Sequence, residues 1–102
     1  PAEATAVVVA SPNPPRTCFT DAYGAFLSNG WDILETTPGG FDFRVRPDAT
    51  EAVIEVTIAE SEVDADDAVL VARLDADTPE RRDVLERTAR LLAQIPGVVS
   101  FR

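Results

Sequence analysis

Between residues 41 and 46 apolar and charged side chains alternate one for one: Phe41, Phe43 and Val45 on one side, Asp42, Arg44 and Arg46 on the other. A period of two belongs to a strand with one face in a core and the other in water. The preceding run, 31–37, is also strand-like, and Pro38-Gly39-Gly40 supplies a turn, so residues 31–46 predict a β-hairpin. Two further runs keep the period. Over 52–59 the core set is Ile54, Val56 and Ile58, opposite Glu55 and Thr57. Over 68–75 it is Ala68, Leu70, Ala72 and Leu74, opposite Val69, Val71, Arg73 and Asp75. Val69 and Val71 are apolar on what should be the wet face, so either the N-terminal segment or a partner is expected to cover them.

The period changes elsewhere. Phe19, Ala22, Tyr23, Phe26 and Leu27 fall at i, i+3, i+4, i+7 and i+8, which predicts a helix over 18–29 with one apolar stripe. Thr17 is placed to cap its start, and Asn29-Gly30 to supply a left-handed stop. Gly24 lies on the polar side, where it costs about 1 kcal/mol relative to Ala unless another backbone approaches closely. A second helix is predicted over 79–95, with Val84, Leu85, Thr88, Leu91, Leu92 and Ile95 as its buried stripe. Thr78 caps it, Pro79 takes the first helical position and Glu80 complements the dipole. Asp83 with Arg87, and Glu86 with Arg90, form i,i+4 pairs in the favourable orientation. Pro96-Gly97 ends the helix and residues 98–101 read as a last short strand. At the other end Val7-Val8-Val9 reads as a strand, followed by an extended connector that Pro12, Pro14 and Pro15 impose.

The order β-α-β-β-β-β-α-β predicts an α+β fold, a curved antiparallel sheet of four to five strands with two helices packed on one face. Residues 1–17 form an N-terminal strand and Pro-rich connector, and 18–102 a single domain; 102 residues suffice for one core and no more.

Composition narrows the chemistry by what it lacks. There is no His, no Lys and no Met, and Cys18 is the single cysteine. Imidazole general bases, Ser-His-Asp and Cys-His nucleophiles, Schiff-base lysines and phosphate-binding loops ending in Lys are excluded. One thiol makes neither an internal disulfide nor a thiolate zinc cage. No catalytic residue, metal or cofactor is expected. Eighteen acids against nine Arg leave a net charge of −9, which repels nucleic acid and anionic membrane surfaces. No apolar run approaches the ~18 residues of a membrane span. The expected partner is another protein or a second copy, in the cytoplasm or, if an export signal preceded PAEATA, in the periplasm.

Four constellations remain. Glu60, Glu62, Asp64, Asp66 and Asp67 form the densest acidic cluster, but a calcium loop needs a Gly at its sharp turn and none is present, so this reads as a solvated turn. Arg44, Arg46 and Arg73 share one sheet face and could bind an anion bidentately; cross-strand pairing with Glu55 and Asp75 is the ordinary alternative. Cys18 near a helix start could be an activated thiol, though a free cysteine is more often a small buried hydrophobe. Trp31 is a core anchor or, with Val69 and Val71, part of a protein-binding surface. The amine of Pro1 matches the general base of tautomerases in that one residue, without the βαβ repeat.

The pattern from Phe26-Leu27-Ser28-Asn29-Gly30-Trp31 through Phe41-Asp42-Phe43 to the helix at 81–92 resembles the YbjN-type domains over about residues 18–95. These are similar to type III secretion chaperones, small acidic bacterial α+β proteins that are often dimeric and have no catalytic residues. The departures are the strand before the first helix and the close on a short strand. With the N-terminal strand counted, the order also resembles helix-grip folds such as the BamC-like envelope lipoprotein domains, though no lipid-attachment Cys lies at the start. The resemblance implies a non-enzymatic protein-binding or chaperone-like adaptor. The alternatives are a small-ligand-binding regulatory module with its pocket between sheet and helices, or an envelope-associated domain of a larger protein.

Overall fold

The period-two runs pair into one sheet. A computed structural model describes residues 6–48, 50–64, 66–74 and 80–101. Along the chain lie β1 (Ala6–Ser11), α1 (Pro15–Ser28), β2 (Asp32–Thr36), β3 (Phe43–Arg46), β4 (Ile54–Glu60), β5 (Ala68–Leu74), α2 (Arg81–Leu92) and β6 (Val99–Phe101). The fold is α+β, in the expected element order. The sheet is antiparallel and open, with strand order β2-β3-β4-β5-β1-β6. It holds six strands rather than four to five, because β1 lies inside the sheet and offers β6 its second edge. Residues 6–17 therefore belong to the same unit as the rest instead of preceding it. Helix α1 carries the chain from β1 to β2 at the far edge, hairpins return it to β5, and α2 passes over β1 to reach β6.

The inward set is the one that the alternation requires. Phe43 and Val45, Ile54, Val56 and Ile58, and Ala68, Leu70, Ala72 and Leu74 are buried beneath the helices, with Val9 of β1 beside them. The helices contribute Cys18, Ala22 and Phe26, and Val84, Leu85, Thr88, Leu91 and Leu92, with Ile95 just beyond. Fully burying each large aliphatic or aromatic side chain stabilises by about 1.5–3 kcal/mol. Phe43 is the centre of an aromatic cluster: its ring centroid lies 5.5 Å from Phe19 and 5.7 Å from Phe26, both edge-on. The one buried hydroxyl of α2, on Thr88, donates to the Val84 carbonyl at 2.7 Å.

The helix ends differ from expectation in instructive ways. Helix α1 begins at Pro15, and Cys18 N–H already bonds the Pro14 carbonyl at 3.0 Å. Proline at the first helical position sacrifices only an N–H with no intrahelical partner, so Pro15 starts the helix rather than extending the connector. Thr17 is consequently inside the helix and caps nothing. The stop is as expected. Gly30 adopts φ +80°, its N–H bonds Leu27 O at 3.1 Å, and Trp31 N–H bonds Phe26 O at 3.1 Å. These two bonds define a Schellman motif, completed by the tilted ring contact of Trp31 with Phe26 at 4.9 Å. Gly24 has open space around its Cα, so no backbone approach explains it. Helix α2 closes at Leu92, three residues short of its apolar stripe, and Thr78, Pro79 and Asp75 lie outside the described residues. Its Arg87 reaches not to Asp83 but over the Trp31 ring, 5.9 Å from the centroid, and to the Asp48 carbonyl at 3.5 Å.

The hairpin turn is type II in character, with Pro38 then Gly39 at φ +75° and Gly40 N–H bonding Thr37 O at 3.1 Å. A bulge between Ile33 and Glu35 puts Leu34 out to solvent on the edge strand. Bulged, acid-bearing edges resist pairing with another chain.

Candidate functional site

Because both helices pack on one face, the alternate residues of every strand form a second, helix-free face. Antiparallel register aligns them into cross-strand rows. One row runs Ala59, Val69, Ala10, Val99 across β4, β5, β1 and β6, and the next runs Thr57, Val71, Val8 and the Phe101 position. Val8, Ala10, Val69 and Val71 are half-buried, and Val99 is 61% exposed. The core and the helices that enclose it lie on the opposite side of the sheet. Residues 6–11 of the N-terminal segment do not lie over Val69 and Val71: they pair beside β5 and enlarge the apolar surface.

The third row is charged. Glu35, Arg44, Glu55, Arg73 and Ala6 follow one another across β2, β3, β4, β5 and β1. Arg44 and Glu55 stand 3.6 Å apart, each about 40% exposed. Arg46 donates to the Asp32 carboxylate at 2.8 Å, across the β2–β3 pair, and that carboxylate holds its guanidinium above the ordinary range. The three arginines do not converge. Glu55 separates Arg44 from Arg73, and Arg46 lies a row away on its own acid, so the pattern is cross-strand charge pairing rather than an anion cradle.

Trp31 is only 5% exposed. It is committed to the core through Phe26 and the α1 stop, so it presents no docking surface. Cys18 is fully buried, and desolvation pushes its thiol up, with Asp21 adding to the rise and a Ser11 hydrogen bond opposing it. Such a thiol is held in its unreactive form at neutral pH. Pro1 lies outside the described residues.

The acidic cluster forms the β4–β5 turn, next to the Ala59–Val69 pair. Asp64 Oδ1 accepts the Asp66 N–H at 2.9 Å, Asp67 N–H bonds Asp64 O at 3.0 Å, and Ser61 N–H closes onto Asp67 O at 3.0 Å. Among the described residues no group of three or more His, Cys, Asp or Glu is placed to hold a metal ion. Two concavities lie on the outside. A groove of about 360 Å³ is lined by Glu35, Asp42, Arg44 and Glu55, and one of about 550 Å³ by Asp32, Arg46, Asp48, Glu51 and Glu80. Both are acid-rich. The layer between sheet and helices, where a ligand carrier keeps its pocket, is filled by Phe26, Ile54, Leu70 and Leu92.

Sequence reasoning singled out Val69 and Val71 but missed Val8, Ala10, Ala59 and Val99. The only signal was the Val7-Val8-Val9 run, whose neighbour in the sheet no local pattern reveals. A scan against models of known protein families finds no match, and neither does a comparison with curated proteins. Among the described residues no helix is long and apolar enough to cross a membrane.

Proposed function

We propose that this chain is a non-enzymatic protein-binding domain, chaperone-like in that it offers an apolar sheet face to a partner. One observation carries the reading. Two adjacent rows of the helix-free face carry Val8, Ala10, Ala59, Val69, Val71 and Val99, with Thr57 at the β4 end of one of them, where a face left to water would alternate polar residues. The composition supports it, since a chain without His or Lys has neither an imidazole base nor a lysine nucleophile. The likeness in element order to YbjN-type and secretion-chaperone domains points the same way. The high net charge keeps such a face soluble and steers encounter, while affinity comes from the apolar rows.

The test is affinity capture from source-organism lysate with wild type and a Val69→Asp/Val71→Asp variant whose fold is confirmed by circular dichroism. A protein retained by wild type and lost from the variant is the expected result. Equal recovery by both would remove the face from the binding surface.

A further inference from the structure

On the reading that the open sheet face docks a protein, we infer that its occupant is a short amphipathic helix carrying a cluster of basic residues at one end, and not a second copy of the chain. Three features of the face select it. The first is size. Four strands spaced ~4.8 Å apart, each offering two outward positions, give an apolar footprint of about 250 Å². A stable dimer buries roughly 800 Å² on each partner. A helix of about 14 residues is ~21 Å long and ~10 Å wide. Laid along β5 and β1, it covers Val69, Val71, Val8 and Ala10, which span only ~7 Å along each strand, and its ends extend toward the β4–β5 turn and toward Arg73.

The second is charge. At its Ala59–Val69 pair the row Ala59, Val69, Ala10, Val99 lies next to the β4–β5 turn, where Glu60, Glu62, Asp64, Asp66 and Asp67 lie within eight consecutive residues. No basic residue occurs between Arg46 and Arg73. Glu62, Asp64 and Asp66 are exposed, so this end presents a concentrated negative field to whatever lies on the face. The opposite end is bounded by Arg73 and Glu55, a mixed pair. A ligand lying along the strands thus meets acid at one end and no net charge at the other. A second copy with net charge −9 would be repelled instead.

The third is surface relief. Across β4, β5 and β1 the side chains of the rows are Val, Ala and Thr, which leave a low shelf. The inner face of the same sheet, where Ala68 and Ala72 alternate with Leu70 and Leu74, already accommodates two helices. An apolar helical stripe is the complement of such a shelf.

The experiment uses two synthetic peptides of about 14 residues (~21 Å as a helix) with the same Leu/Ala stripe, one ending in a lysine cluster and one in a glutamate cluster. Each is titrated into the isotope-labelled chain while backbone amide shifts are followed. The lysine-ended peptide is expected to bind about tenfold tighter at low salt, the sum of several weak surface ion pairs. Its shifts should map to Val8, Ala10, Val69, Val71 and the β4–β5 turn. By ~0.5 M salt, where charges are screened within a few ångströms, the preference should fall below about threefold. A Glu62→Gln/Asp66→Asn variant, which leaves the apolar rows and the Asp64 turn bond in place, should lose the preference but keep the binding. Equal affinity for both peptides on this face would overturn the basic-helix inference and leave protein docking standing. No shift of the face with either peptide would overturn the docking reading itself. Concentration-dependent shifts of the face without peptide would assign it to a second copy and overturn the inference.

Discussion

The two faces of one sheet obey different rules although the same strands build them. On the inner face, Leu70 and its neighbours meet Phe26, Leu92 and the rest of the helical stripes, and each side chain is enclosed. On the outer face, Val69 and Val71 are one residue away in sequence, equally apolar, and only half-buried, beside their strand neighbours. Hydrophobicity alone therefore does not say whether a residue stabilises the fold. What decides it is whether a second layer closes over it, because removing area from water and gaining packing contacts both need atoms above as well as beside.

The contrast is sharpest in adjacent substitutions. Leu70→Ala should cost about 3–4 kcal/mol, as expected of a large-to-small change in a closed core. Val71→Ala next to it should cost less than about 1 kcal/mol, the scale of strand propensity on an open face. Urea denaturation of both variants measures the difference directly, and equal losses would mean that the outer face is a packed surface in solution. A smaller but still large effect is expected where a connection is pinned. Gly97 has φ +80°, and a Cβ there would meet Pro12 Cγ at 2.7 Å, so the α2–β6 connection is clamped on the β1–α1 connector. Gly97→Ala should lower stability by about 2 kcal/mol, combining left-handed strain with a clash against a stiff ring.

Gly24→Ala has the opposite sign. With open space and an ordinary helical backbone it should raise stability by about 0.5–1 kcal/mol, seen as a higher melting temperature. Smaller again is the charged row, where Arg44→Gln should change stability by no more than about 0.5 kcal/mol, and less in high salt, because both ends of the pair are solvated. The last effect is nil at neutral pH. Burial raises the Cys18 thiol above its ordinary value of 9.0, so the native state holds that proton longer than the unfolded chain does. Stability should be unaffected below pH 9, decline as pH rises through and above it, and decline less in Cys18→Ala, as urea titrations at several pH values would measure.

These comparisons also show how far local pattern reaches. The three period-two runs at β3, β4 and β5 named their own buried residues, and the stripe from Val84 to Ile95 is buried as its spacing requires. The Asn29-Gly30-Trp31 stop was legible because a Schellman motif is written in a few consecutive residues. The start of α1 was not: Pro15 could equally extend a connector or open a helix, and Cys18 bonding back to Pro14 settles it. Trp31 was ambiguous for a similar reason. A large aromatic after a helix stop serves a core or a surface, and the choice depends on whether Phe26 and Arg87 lie over it.

Of the candidate site, Val69 and Val71 were visible as misplaced apolar residues on a strand that should alternate. The surface they belong to was not. By itself the sequence determined which residues of β3, β4, β5 and α2 face inward, since periodicity is a property of neighbouring residues under fixed backbone geometry; in α1 the expected stripe held only in part, with Leu27 53% exposed and Cys18 buried. Only the tertiary structure decided that β1 inserts between β5 and β6, laying Val8 and Ala10 beside Val71 and Val69 and turning two stray valines into a continuous face. Strand partners are chosen among edges left open once the hairpins have closed and the helices have covered one side. That choice is made by the whole chain, and no local stretch of it carries the answer.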